Sequence, residues 1–410
     1  MIYLHLDFNL METKPNVSFE NLQAAFAHKT DKELKKMYHI FGLMHYPLLV
    51  KLGIGIARLG FKLGLPIRNT IKKTVFSQFC GGENIDACEP VVVLLAKYGV
   101  DAILDYSVEG KKDEDSFENT KEELLRTIAA SKGRKNLPFT VFKISGIADT
   151  DILAKKQAGK TLSESESKRF DLARARVMGL CETAFNADVR IMVDGEESWF
   201  QDVVDGMVFE AMQRFNQKTA IVFNTFQMYR HDMLRRLKDA HHDAVAKGYF
   251  LGVKLVRGAY LEKERERAEK LGYKSPVHEL KRDTDRDYDK ALQFCVNNKQ
   301  RVHLISGTHN ELSNLVLSEL VDLHGMKRSD ERVYFAQLYG MSDHISFNLA
   351  KAGYNVVKYL PYGPVEEVLP YLSRRAEENS GISGQSSREL QLIKQEIRRR
   401  KHLPKLPKIA

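Results

Sequence analysis

Along the first 95 or so residues, apolar positions recur at three-to-four spacing in 22–26, 34–41 and 48–61, and no alternating stretch interrupts them. That spacing predicts helices with one apolar face and no strand. From about residue 96 the pattern changes to short β-branched or aromatic runs, each followed by an amphipathic stretch of roughly ten to twenty residues. Eight runs occur, at 100–106, 139–145, 189–194, 219–225, 250–257, 301–306, 333–338 and 355–360. Eight strand–helix units in tandem close on themselves, whereas an open doubly wound sheet shows fewer strands and a glycine-rich first turn. The sequence therefore predicts an α/β fold, a distorted (βα)8 barrel over 96–380, with an N-terminal helical arm over 1–95 and a basic C-terminal helix or tail over 381–410.

Two glycine patterns fail the tests for nucleotide loops. Gly53, Gly55 and Gly60 follow no strand and have the third glycine two places late, and Gly159-Lys160-Thr161 has Ala154 where a phosphate loop needs glycine. The most apolar stretch, 40–67, is broken by Lys51, Arg58 and Lys62, so no transmembrane helix is predicted.

Composition changes this picture little. With 43% hydrophobic and 29% charged residues the chain is outside the disordered and collagen-like classes. Cys80, Cys88, Cys181 and Cys295 form no CxxC pair and no secretory leader opens the chain, so a reducing compartment is expected. The net charge of +9 is concentrated at the end, where Arg388, Lys394, Arg398, Arg399, Arg400, Lys401, Lys405 and Lys408 face only Glu389 and Glu396. Such a run attracts nucleic acid or anionic lipid, but is more often a solvated end, and the solvated end is expected here.

Barrel enzymes carry their chemistry at the carboxyl ends of the strands. There the sequence places Lys143, Asp194, Asn224 with Gln227, Lys254 with Arg257, Thr308-His309-Asn310, Tyr339 and Tyr359. After the last strand, Pro364 suits a first helical position, and a helix is predicted from 365 to about 379. On it Tyr371, Arg374, Arg375 and Glu378 share one face. Paired arginines suit a carboxylate, whose two oxygens accept the parallel donors of a guanidinium, and Glu378 suits an ammonium or a neighbouring arginine. Arg374 would lie about ten residues, or roughly 15 Å, into that helix. It reaches the barrel mouth only if the eighth helix lies across the opening, and that displacement is predicted. Asp105 or Glu109, just past the first strand, is expected to pair with an arginine of this roof. The charged stretch 261–281 reads as a solvated helix more readily than as a lid. No metal site is expected, because His231, His241 and His242 lack a partner set and His303 reads as a packed strand residue.

Taken together, the segments KLVRGAYL at 254–261, THN at 308–310, FAQLYGM at 335–341 and YLSRRAEEN at 371–379 resemble the signature blocks of the proline dehydrogenase family. The resemblance covers roughly 139–379. It implies FAD-dependent oxidation of L-proline to Δ1-pyrroline-5-carboxylate, with hydride passing to flavin N5 and electrons leaving to a membrane quinone. It also implies roles for residues of this chain. Arg374, Arg375 and Lys143 match the carboxylate-binding cations, and Asp194 and Lys254 match positions central to flavin chemistry, with Gly195 beside the aspartate. Lys254 stands where the family's fusion enzymes usually have arginine, so it contributes a point charge where they have a fork. Arg257, Gly258, Ala259, Tyr260, Thr308 and His309 match FAD contacts. Asn224 occupies the place of a family glutamine, with Gln227 as a second inward candidate. Leu338, Tyr359 and Tyr371 match the apolar wall around the substrate ring, and the bulk of Tyr359 implies a preference for unmodified proline.

A quinone acceptor is lipid-soluble, which makes peripheral membrane contact the corresponding expectation, through 46–73 or through the tail after Ser387. Of these, 46–73 is expected to pack as helices against the barrel. The implied location is cytoplasmic, peripheral on the membrane face, or the mitochondrial inner membrane in a eukaryote. Another flavin-dependent barrel, such as a folate-linked reductase, is disfavoured by the arginine pair and ring-walling tyrosines. A nucleic-acid binder is disfavoured because the basic tail lacks interleaved aromatic platforms.

Overall fold

The computed structural model describes residues 17–44, 46–108, 112–381 and 385–402; of Pro47, Lys51, Arg58, 376–381 and 385–387 only the backbone is described. Eight parallel strands, β1 Val100–Tyr106, β2 Phe139–Lys143, β3 Arg190–Asp194, β4 Val222–Gln227, β5 Leu251–Val256, β6 Val302–Gly307, β7 Val333–Leu338 and β8 Val356–Tyr362, form a closed barrel in sequence order. The last strand returns to the first in a register running from Val100↔Val356 to Tyr106↔Tyr362. Both faces of each strand are buried, as parallel sheets require. The interior is filled by layers that include Ile103, Phe139, Val141, Met192, Phe223 and Ile305, while a larger apolar cluster lies between strands and outer helices.

The arm is helical, with Leu22–Phe26, Asp31–Met44 and Pro47–Lys62. Leu34, Met37, Ile40, Phe41 and Met44 stand on one face of Asp31–Met44 and are buried in a second cluster with Phe76, Phe79, Val365, Val368, Tyr371 and Leu372. This cluster joins the arm to the segment after β8. Gly340, with φ +78°, lets Gln78 press onto the turn after β7, where a Cβ would sit 1.9 Å from the Gln78 carbonyl oxygen.

Three expectations need correction. Residues 388–402, within the basic run, are no solvated tail. Helix Gln385–Lys401 buries Leu392, Ile393 and Glu396, and packs on Asp31–Met44. Arg400 donates to the carbonyls of Phe26 (2.7 Å) and Lys29 (2.8 Å), and Arg388 pairs with Glu20 and Glu311, so part of the basic run is spent inside the molecule. The helix after β8 is Leu369–Gly381, because residues 365–368 form a turn held by Val368 N–H on the Pro364 carbonyl. Pro364 therefore opens the turn, and Arg374 falls in the second helical turn. Finally, helix Pro47–Lys62 packs by one face only, against Leu369–Gly381 and Asp31–Met44, and leaves its other face open.

Of the stretch 261–281 only the first half is a helix, Leu261–Leu271, and a non-helical connection follows to Lys281. Its Glu264 is fully buried and accepts bonds from Ser198 N–H and Ser198 Oγ, both at 2.6 Å. That clamp fixes the helix to the loop after β3.

Candidate active site

Alternation along each strand decides which side chains reach the mouth. Asp105 of β1, Lys143 of β2, Asp194 of β3, Gln227 of β4, Lys254 of β5, Leu338 of β7 and Tyr359 of β8 are in phase with the interior layers. Lys254 Nζ donates to Asp194 Oδ1 at 2.5 Å and stands 4.5 Å from the centre of the Tyr359 ring. Lys143 Nζ lies 3.7 Å from Asp194 Oδ2 and 3.4 Å from Asp105 Oδ1. Two lysines and two carboxylates thus neutralise one another at the rim. Burial, with the Asp194 and Asp105 charges, pushes the Tyr359 phenol well above its usual range, so it remains protonated. Asp105, expected to meet a roof arginine, is instead held by Lys143 and by Ser107 Oγ at 2.9 Å. Glu109 lies outside the described residues.

Asn224 is turned away from the mouth. Its amide donates to Asp205 Oδ1 at 2.9 Å, on helix Ser198–Phe215 outside the barrel, because Phe223 holds the inward phase of β4 by edge contact with Phe139. The inward amide is Gln227, which donates to the Glu196 carbonyl at 2.5 Å. Gly195 makes room for it, since a Cβ there would meet Gln227 Cγ and Nε2 at 3.1 Å.

At the ends of β5 and β6, Arg257 donates to Asp285 Oδ1 (2.7 Å), Thr308 Oγ1 (2.5 Å) and Ser313 Oγ (3.0 Å), with its guanidinium 4.5 Å from the Tyr288 ring centre. Gly258, at φ +128°, is required by protein packing: a Cβ would fall 2.6 Å from the Tyr229 ring. Ala259 beside it is exposed, and Tyr260 precedes helix Leu261–Leu271 with Lys263 over its ring. His309 shares a bond with Ser342 Oγ at 2.9 Å, and desolvation, then the Lys358 and Arg375 charges, push its imidazole down to about 3. Asn310 caps helix Glu311–Leu323, and Tyr339 faces Lys29 of the arm at 5.6 Å.

Over this mouth lies Leu369–Gly381, the roof. Tyr371 and Leu372 are 4% exposed and share an apolar cluster with Met341, while Leu338 touches both that cluster and the barrel interior. Arg375 is buried, its guanidinium 5.2 Å from the Tyr371 ring centre, and Arg374 is half-buried. Leu338, the last residue of β7, packs against the cluster that holds Tyr371 and Leu372, which sets the roof at the carboxyl ends of the strands, and the Arg375 charge acts on His309, two residues past β6. Glu378 belongs to the same helix, and its side chain lies outside the described residues.

Two features escape the pattern of the sequence. Glu196 is buried after β3 and accepts from Ser145 N–H (2.9 Å) and Ser145 Oγ (2.5 Å), tying the β2 and β3 loops; burial pushes its carboxyl up to about 7. An acidic residue two places past a strand end carrying Asp194 is a signal that was there to be used. Behind β8, Lys358 is fully buried 2.9 Å from Asp343 Oδ1, and His28 of the arm lies 3.2 Å from Asp343 Oδ2. Burial raises the Asp343 carboxyl, but Lys358 and His28 more than offset it and hold it well below the usual range. Lys358 reads from sequence as an ordinary strand residue, and only the fold brings its partners together.

The donor set at β4 to β6 suits a flavin dinucleotide. Gln227 and Lys254 offer an amide and a cation beside the aromatic Tyr359, and Arg257 with Thr308 offers a guanidinium and a hydroxyl one strand further on. A ring system that gains negative charge on reduction and a phosphate ask for donors of these kinds.

The family model described as proline dehydrogenase matches residues 90–388. The chain is 34% identical over 326 residues to the carbapenem antibiotics biosynthesis protein CarD of Pectobacterium carotovorum subsp. carotovorum, covering 80% of this chain and 84% of that one. It is 32% identical over 384 residues to the mitochondrial proline dehydrogenase 1 of Arabidopsis thaliana, covering 83% and 76%, and 38% identical over 248 residues to the human mitochondrial enzyme, covering 58% and 40%. The crystal structure of proline utilization A from Bdellovibrio bacteriovorus inactivated by N-propargylglycine has the same fold, with a TM-score of 0.68 at 18% identity. That match covers 88% of this chain and 38% of the larger one.

Proposed function

The chain belongs to the proline dehydrogenase family, an oxidoreductase acting on proline, and from that premise we propose that the barrel mouth oxidises L-proline with bound FAD and a membrane quinone as final acceptor. The observation that carries the reading is the division of charge. The rim lysines lie against Asp105 and Asp194, and the roof carries Arg375, which is buried, and Arg374, two guanidinium groups of the kind that a substrate carboxylate needs. Charge-assisted, forked hydrogen bonds from guanidinium groups hold a carboxylate in one orientation. Tyr371, Leu338 and Tyr359 then wall the saturated ring.

Lys254 and Gln227 are the groups assigned to the flavin ring, and Arg257, Thr308 and His309 to the remainder of the cofactor. FAD held by these residues would supply a two-electron acceptor for the hydride. Asp194 holds Lys254 at the rim through the 2.5 Å contact, so the cation is fixed before substrate arrives. The amine must be neutral for the C–H bond to be broken heterolytically; loss of the hydride leaves an iminium ion, which gives up its N–H proton to solvent as the cyclic imine Δ1-pyrroline-5-carboxylate forms.

The test is anaerobic addition of L-proline to the FAD-loaded protein while the visible spectrum is recorded. Bleaching of the flavin bands by L-proline is the expected result. A protein that holds FAD and is not bleached would overturn the assignment.

A further inference from the structure

Helix Pro47–Lys62 carries two apolar faces, and the fold uses one. At 3.6 residues per turn, Val50, Ile54, Ala57 and Phe61 lie within about 60° of arc, and Val50 and Phe61 pack into the cluster beneath the roof. Leu48, Leu49, Leu52, Ile56, Leu59 and Leu63 lie opposite them within about 100°. These six are 82, 51, 60, 58, 56 and 63% exposed. Isolated exposed leucines are ordinary, but a continuous stripe along four helical turns is an interaction surface.

The charge around the stripe selects its occupant. Between residues 34 and 82 the chain has no Asp or Glu, while it has Lys35, Lys36, Lys51, Arg58, Lys62 and Lys73, besides Arg68 and Lys72, which pair with Glu83. The positions of Lys51, Arg58 and Lys62 border one edge of the apolar stripe. We infer that this face docks on a bilayer surface containing anionic lipids, with the leucines entering the acyl boundary and the cations meeting the headgroups. A second copy of the chain would set these cations against one another, which opposes a dimer through the same face.

The helix lies on the bilayer and does not cross it. Its 16 residues span about 24 Å, short of a hydrocarbon core of about 30 Å, and its inner face is occupied by protein. The preceding helix Asp31–Met44 has its apolar side buried in the fold, so the bent pair cannot serve as one span. Because the inner face rests on Leu369–Gly381, docking brings the roof of the site next to the lipid surface. The inference rests on the quinone reading for why that proximity is useful, and it stands or falls on a separate measurement.

That measurement is co-sedimentation of the FAD-loaded, full-length protein with vesicles of phosphatidylcholine alone and with added phosphatidylglycerol. Binding is expected only when the anionic lipid is present. It should weaken at least about tenfold in a Leu52→Gln, Ile56→Gln, Leu59→Gln triple variant, and also in Lys62→Glu with Lys73→Glu. Circular dichroism and proline-dependent bleaching should be unchanged in both variants, which separates loss of docking from loss of fold. Equal binding by the triple variant, no binding by the unaltered protein, or a dimer that the triple variant dissolves would overturn the inference. Failure of bleaching in the unaltered protein would count against the proposed function and leave the vesicle result standing.

Discussion

Asp194 of β3 and Lys254 of β5 meet across the barrel mouth at 2.5 Å, with the lysine also 4.5 Å from the Tyr359 ring centre. Removing one partner of a buried pair leaves the other charge uncompensated, which generally costs about 3–5 kcal/mol. Here Lys143, at 3.7 Å, still serves Asp194, so the loss sits at the low end. Lys254→Met is expected to lower stability by about 3 kcal/mol and to slow flavin reduction by about a hundredfold. Its proline dissociation constant should change by no more than about twofold. Stopped-flow reduction against proline concentration separates the two effects, and a changed dissociation constant with an unchanged rate would assign Lys254 to substrate binding.

Arg375 is the more buried of the roof cations. Arg375→Met keeps the apolar stem against Tyr371 and removes the forked donor, so proline binding should weaken by about 3 kcal/mol, more than a hundredfold. FAD content should remain that of the unaltered protein. Titration of the flavin spectrum with a non-oxidised proline analogue reads this directly.

Glu196 makes stability depend on pH. Its carboxyl is pushed up to about 7 by burial, against an unfolded value near 4.3. The folded state therefore holds a proton that the unfolded state releases between these values, and stability falls as pH rises through that window. The change is on the order of 3 kcal/mol. Glu196→Gln imitates the protonated form and keeps partners for Ser145. Urea midpoints at pH 5 and pH 8 should show the unaltered protein losing more stability than the variant over that interval. Equal losses would mean that Glu196 is ionised at both values.

Leu392 of helix Gln385–Lys401 is fully buried against the arm. Leu392→Ala should cost about 2–5 kcal/mol through lost burial and the cavity left behind. A comparable change at the exposed Lys394 should leave the thermal midpoint within about a degree.

The barrel could be read from the sequence because its strands are short β-branched runs separated by helical periods, and the eight expected runs correspond to β1 to β8. Strand phase was harder to read. With both faces of a parallel strand apolar, nothing in the run 219–225 says whether Asn224 or its neighbours turn inward; contact of Phe223 with Phe139 decides it, and β4 begins at Val222. The roof arginines were visible as a helical face, whereas the start of the roof depended on a turn at 365–368 that Pro364 permits but does not specify. The last helix misled because its charges are conspicuous and its buried residues few. Leu392, Ile393 and Ile397 share a side, and that spacing argues for packing even within a basic run.

The contact of Arg400 with the Lys29 carbonyl joins positions 371 apart in sequence. During synthesis the residues that clamp the arm leave the ribosome after all eight strands, so the barrel can close while its cover still lacks a support. Contacts of such separation form late, because the long intervening loop must be closed before they give any return. A nascent chain halted before Arg388 is thus expected to hold a closed barrel beneath an unanchored cover, a species exposed to proteolysis at the arm before it is exposed in the strands.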